Sequence, residues 1–162
     1  MSTPSSTPPV VGLLVAGGRG SRLGGALPKP LVRVAGRELI ARNLERLTRA
    51  DITEIHVSLG PGGEEIRTAL QSLAGRTVDW HWHGETEPRG TLGSLAQLAG
   101  RDATLIAVNA DLFTTLDLAP LLAHHRSARA DLTCLDLCGR ALSPTPCAWA
   151  LGVRSPRSRA SI

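Results

Sequence analysis

Lysine is almost absent from the sequence: Lys29 is the only one among 18 basic residues in a chain of 162. Cysteine is scarce as well, with Cys134, Cys138 and Cys147 forming an odd number and no CxxC pair. That spacing excludes a zinc knuckle or a disulfide framework and fits free thiols in a reducing compartment. Long apolar runs are missing too. Val10–Ala16 falls far short of the about 20 residues a membrane helix needs. The opening MSTPSSTPPV lacks the positive start and apolar stretch of a signal peptide, so residues 1–9 read as a disordered leader. A cytoplasmic protein without a membrane partner is expected.

Acidic residues stop early. None follows Asp136, whereas Arg140, Arg154, Arg157 and Arg159 do, and those arginines account for the whole net charge of +4. The preceding part of the chain is neutral, which argues against a surface that tracks nucleic-acid phosphates. No internal repeat is present.

The length suits one domain with a substantial core. Val10–Ala16 is a continuous apolar run ended by Gly17-Gly18, as expected of a buried strand. Glu38–Arg49 places Leu39, Ile40, Asn43, Leu44 and Leu47 on one helical face. Ile52–Leu59 reads as a strand closed by Gly-Pro-Gly-Gly, and Glu64–Leu73 as a helix. Thr77–His83 alternates, with Val78, Trp80 and Trp82 on one face and His81 and His83 on the other. A short helix over Thr91–Leu98, a strand over Ala103–Asn109, a helix over Leu116–Arg126 and a strand over Ala130–Leu137 complete the pattern. Strand and helix alternate repeatedly, which predicts an α/β, Rossmann-like three-layer sandwich with a mostly parallel sheet. In such sheets ligands gather beyond the carboxyl ends of the strands. That rule singles out the glycine loop after the first strand, the loop around Gly90, and Asp111.

A glycine-rich turn between a strand and a helix lets backbone N–H groups close on a phosphate with no Cβ in the way. The Walker pattern fails here, because Lys29 follows Pro28 and precedes Pro30. The dinucleotide fingerprint fails too, since Leu23 stands where its third glycine belongs. The chain instead reads G-x-G-S-R-L over Gly18–Leu23, then P-K-x-L over Pro28–Leu31.

That ordered pair of motifs resembles the signature of the sugar-1-phosphate nucleotidylyltransferases, or NDP-sugar pyrophosphorylases. ETEPRGTLGSL, from Glu85 to Leu95, is similar to the family's E-x-E-P-x-G-T segment, and NADLF, ending the strand at Asp111, to its metal-binding region. The resemblance covers residues 10 to about 136, the expected nucleotide-binding half. Ser21 stands where the family often has Thr, and Ala110 where it commonly has Gly. A methyl at position 110 is expected to crowd the backbone near the ligand.

The resemblance implies transfer of a nucleoside monophosphate from a nucleoside triphosphate to a sugar-1-phosphate, releasing pyrophosphate. It assigns Arg22 to the triphosphate, Lys29 to the α-phosphate and the incoming phosphate, and Asp111 to Mg²⁺. It puts Ala16, Gly17, Gly18, Gly20, Ser21, Gly90 and Thr91 against the nucleotide. It also implies a second half, carrying the sugar pocket and another metal ligand, that is truncated here. Residues 137–162, basic and broken by prolines, read as an irregular tail and as the product of a shifted frame or premature end. A non-catalytic nucleotide-binding remnant or regulatory subunit therefore stays open. So does a relative acting on molybdopterin or a polyol phosphate, and so does self-association. His81 and His83 could begin a metal site, yet no third ligand is evident, so a solvent-facing polar stripe is expected.

Overall fold

The computed structural model describes residues 8–18, 27–74, 78–85 and 95–133. The loop residues Gly20, Ser21, Arg22, Gly90 and Thr91, the three cysteines, and the tail 137–162 lie outside them, as does most of the leader.

Strand β1 (Val10–Ala16) is followed by a 3₁₀ turn over Lys29–Leu31 and a small hairpin, β2 (Arg33–Val34) with β3 (Arg37–Glu38). Then come α1 (Leu39–Arg49), β4 (Glu54–Leu59), α2 (Glu64–Ala74), β5 (Asp79–Gly84), a 3₁₀ turn over Leu95–Leu98, β6 (Thr104–Asn109) and α3 (Leu118–Ala128). The main sheet has the order β5-β4-β1-β6, and every pairing in it is parallel. Its interior strand β1 is buried on both faces, which is why it is written as an unbroken apolar run.

Period-2 alternation divides the core. Leu14, Ile55, Val57, Ile106 and Val108 join Ile40, Leu44 and Leu47 of α1, Ile66 and Leu70 of α2, and Leu118 and Leu122 of α3 in one cluster. Val11, Leu13, Leu105 and Ala107 face the opposite way and meet Leu98 of the second 3₁₀ turn. The sheet thus lies between a layer of three helices and the segment carrying Leu98. Each aliphatic side chain taken fully out of water contributes about 1.5–3 kcal/mol, and Leu13, Leu14, Ile40, Leu47, Ile52, Ile55 and Leu70 are all 0% exposed.

The short helix expected over Thr91–Leu98 is, in its described part, the 3₁₀ turn at Leu95–Leu98. Residues 130–133 carry no strand, and the remainder of the strand expected there lies outside the described residues. Helix α3 begins at Leu118 because Asp117 caps it, its Oδ1 accepting from the Ala119 N–H at 3.1 Å. Among the described residues no helix is long and apolar enough to cross a membrane.

Candidate active site

Parallel strands bring all their carboxyl ends to one edge. The register aligns Gly84 with Leu59, Leu59 with Ala16, and Val15 with Asn109. Two further backbone bonds extend the ladder past the strands: Glu85 N–H donates to Leu59 O at 2.8 Å, and Ala110 N–H to Val15 O at 3.0 Å. Gly17, Gly60, Glu85 and Asp111 therefore emerge together along this edge. Glu85 and Asp111 leave it three strand spacings apart, about 14 Å, with Gly17 between them just after β1.

The glycine loop starts in a tight place. A Cβ on Gly60 would lie 2.6 Å from the Gly17 carbonyl oxygen, closer than real Cβ contacts come. The two glycines let the loops after β1 and β4 pass backbone against backbone. A Cβ on Gly17 would touch the Glu85 Oε2 and Ser58 Oγ, each at 3.4 Å, whereas one on Gly18 would meet nothing among the described residues within 4 Å. Ser58, 1% exposed, donates its hydroxyl to Glu85 Oε1 at 2.9 Å. The carboxylate of Glu85 thus forms the floor under the first glycine, held by a buried hydroxyl.

Asp111 is exposed at the end of β6, and the backbone on either side of it is clamped. Asn43 of α1, 1% exposed, donates Nδ2 to Ala110 O at 3.3 Å, to Leu112 O at 2.8 Å and to Leu39 O at 3.0 Å. Arg46 continues the clamp, donating Nε to Leu116 O at 2.8 Å and Nη1 to Asn43 Oδ1 at 3.1 Å. The methyl of Ala110, expected to crowd a ligand, instead belongs to the helix-side core at 0% exposure. Asp111 does not cap a helix either, since Asp117 does.

Lys29 is half-buried in its own 3₁₀ turn. Leu31 N–H donates to Pro28 O at 2.9 Å, Val32 N–H to Lys29 O at 3.0 Å, and Pro30 is buried. Flanking prolines and two turn bonds leave the Lys29 backbone little freedom. Of the residues assigned from sequence, the structure gathers Ala16, Gly17, Gly18 and Asp111 on one edge.

Sequence reasoning gave no site role to Ser58 or Asn43, and named Glu85 only as the first residue of the E-x-E-P-x-G-T segment. Asn43 carried the clearest signal, as a polar residue on the apolar face of its helix. The histidines are a correction. His81 and His83 do not form a merely solvent-facing stripe: β4 pairs beside them, aligning His56 with His81 and Glu54 with Asp79. Among the described residues Glu54, His56 and His81 form a group whose ligand atoms lie within 4.8 Å of one another. Burial lowers the His56 ring below its ordinary value, against the pull of Glu54. Burial works to raise the Glu54 carboxyl, but hydrogen bonds from Arg101 and His56 outweigh it and hold it low.

These features match known proteins. A family described as "MobA-like NTP transferase domain" matches residues 12–160. The mannose-1-phosphate guanylyltransferase of Mycobacterium tuberculosis is 35% identical over 137 residues, covering 79% of this chain and 37% of its own. The 2-C-methyl-D-erythritol 4-phosphate cytidylyltransferase of Corynebacterium efficiens is 32% identical over 123 residues, covering 75% of this chain and 46% of its own. The chain spans about a third of the length of the guanylyltransferases it matches. The structure of HddC from Yersinia pseudotuberculosis superposes with a TM-score of 0.61 at 23% identity, covering 91% of this chain and 72% of that one. At that identity the likeness speaks for the fold, which it shares. On the family match and the parallel sheet together, this chain belongs to the MobA-like NTP transferase domain family.

Proposed function

We propose that this domain transfers a nucleoside monophosphate from a nucleoside triphosphate to a sugar-1-phosphate, giving an NDP-sugar and pyrophosphate. The observation that carries the reading is the convergence of Gly17, Gly18 and Asp111 on the carboxyl edge of a parallel sheet. The guanylyltransferase relatives support the substrate class. An oxygen of the sugar phosphate attacks the α-phosphorus in line, the new P–O bond forms, and the bond to the β-phosphate breaks. No covalent enzyme intermediate is needed, so the protein acts by positioning and by charge.

Arg22 grips the triphosphate and the departing pyrophosphate with a bidentate fork. Lys29, a compact ammonium on a constrained turn, neutralises the crowded α-phosphate. Backbone N–H groups of the loop through Gly20 and Ser21 cradle phosphate oxygens, and Gly90 and Thr91 lie along the nucleotide. The donor set at the end of β6 fits Mg²⁺: an exposed carboxylate, with the neighbouring carbonyls already engaged by Asn43, leaves Asp111 as the hard oxygen ligand. Bound there, the ion would supply neutralisation of phosphate charge. The cytoplasm, which holds nucleoside triphosphates and keeps thiols reduced, is the compartment this reading implies.

The test is pyrophosphate release from GTP and the other triphosphates with a panel of sugar-1-phosphates and Mg²⁺. Release that is abolished by Arg22→Ala, with an unchanged circular-dichroism spectrum, supports the reading. Nucleotide binding without release sinks it in favour of a non-catalytic binding unit. The cytidylyltransferase relative favours one further acceptor class. CTP with a polyol phosphate therefore belongs in the panel, and turnover there alone would move the substrate from sugar to polyol.

A further inference from the structure

The polar face of β4 and β5 carries its own chemistry, away from the phosphate edge. Glu54 and His56 are two residues apart on one strand, so they share a face, and the register sets His81 directly beside His56. The group lies near the start of both strands. His56 is four residues before Gly60, about 13 Å along the strand.

We propose that Glu54, His56 and His81 form a binding site for a zinc-class transition-metal ion, separate from the nucleotide edge. Two imidazoles and one carboxylate suit Zn²⁺ and its neighbours rather than Mg²⁺. His56 Nε2 is 3.1 Å and His81 Nε2 3.8 Å from the same oxygen, Glu54 Oε1. Ligands about 2.05 Å from a tetrahedral zinc stand about 3.3 Å apart, so these separations bracket the required one. His56 stacks on His81 at 4.4 Å and 11°, and on His83 at 5.0 Å and 8°. The in-plane lone pairs of stacked rings run parallel, so the more exposed His81 ring turns about its side-chain torsions to share an ion with His56.

Arg101 already places a cation beside Glu54 and His56. Its Nη1 is 2.6 Å from Glu54 Oε1 and 3.2 Å from His56 Nε2. A carboxylate only accepts, so the proton of His56 Nε2 faces Glu54 Oε1 when no ion is present, and an entering ion takes the Nε2 lone pair in place of the proton. His56 Nδ1 lies 2.7 Å from His83 Nε2, which puts His83 in the place of the outer hydrogen-bond partner that a metal-bound histidine ordinarily has. The hydrogen bond from His56 Nε2 to Glu54 Oε1 at 3.1 Å is the contact that a bound ion would replace. Arg101 balances the Glu54 charge while the ion is absent. Its side chain is 43% exposed, so it is free to swing out when an ion enters.

The site is buried at its base and open at its mouth, with the side chains of His56 5% and His81 40% exposed. The open side leaves room for a water as fourth ligand. His81 Nε2 also rests 3.3 Å from Asp79 Oδ2, a contact that a bound ion replaces. Because β5 is an edge strand among the described residues, the ion would fasten it to β4.

The purified full chain, stripped with chelator, is titrated with Zn²⁺ by calorimetry and with Co²⁺ by visible absorption. The expected result is one ion per chain and the intense bands of tetrahedral cobalt. Glu54→Gln and His81→Ala should abolish both signals, and His83→Ala should weaken binding on the order of 10- to 100-fold. Arg101→Ala should tighten it, because the competing cation is gone. A variant with Cys134, Cys138 and Cys147 all changed to Ser should bind as the parent does. No saturable binding, binding unaffected by Glu54→Gln and His81→Ala, binding lost with the cysteines, or weakening in Arg101→Ala would each overturn the proposal. None of these readouts depends on nucleotide transfer.

Discussion

On β4 and β5 the residues turned toward the helices are Ile55, Val57, Leu59, Trp80 and Trp82, while those one position out of step are Glu54, His56, Ser58, His81 and His83. The same two strands thus present a packed core to one side and a hydrogen-bonded polar network to the other. Alternation alone creates the difference, since successive strand residues point to opposite faces. One face holds the fold together; the other is where titratable groups accumulate.

Substitutions should separate the two faces by size of effect. The largest loss is expected from Ile55→Ala, which empties a site at 0% exposure and should lower the unfolding free energy by about 2–5 kcal/mol in urea titrations. On the opposite face, Zn²⁺ at 100 times its dissociation constant should raise stability by about 2.7 kcal/mol, and His81→Ala should remove that increment. Asn43→Ala joins helix to active edge: unsatisfying its carbonyl partners should cost about 1–3 kcal/mol and speed hydrogen exchange in the segment around Asp111. Gly60→Ala should cost about 1–3 kcal/mol by forcing the Gly17 peptide aside, with nucleotide binding weakened in parallel. Smallest of all, His81→Ala without metal should change stability by no more than about 0.5 kcal/mol. Equal losses for Ile55→Ala and metal-free His81→Ala would erase the distinction between the faces.

Legibility in the sequence followed the range of the interaction. The bounds of β1 were readable because an apolar run ends in Gly-Gly, and α1 because five residues share a face. Helix α1 starts one residue later than its periodicity implies, since Glu38 closes a hairpin of two-residue strands too short to show any period. The expected edge of Gly17, Gly18 and Asp111 was also readable, because parallel strands must end together. What lay hidden depended on pairing between distant segments. Alternation put His81 and His83 on one face but could not say that His56 and Glu54 lay across from them. Asn43 was conspicuous as a polar residue among leucines, yet its carbonyl partners lie 67 and 69 residues downstream. The methyl of Ala110 reversed its expected role, because the strand end turns it into the core.

The most direct test of the account is a crystal structure of this chain with GTP and magnesium. The prediction is a triphosphate lying along the loop that starts at Gly17 and Gly18, within reach of Lys29, with the ion on the Asp111 carboxylate. Nucleotide density anywhere other than the carboxyl edge of the sheet, or an ion that leaves Asp111 untouched, would contradict it.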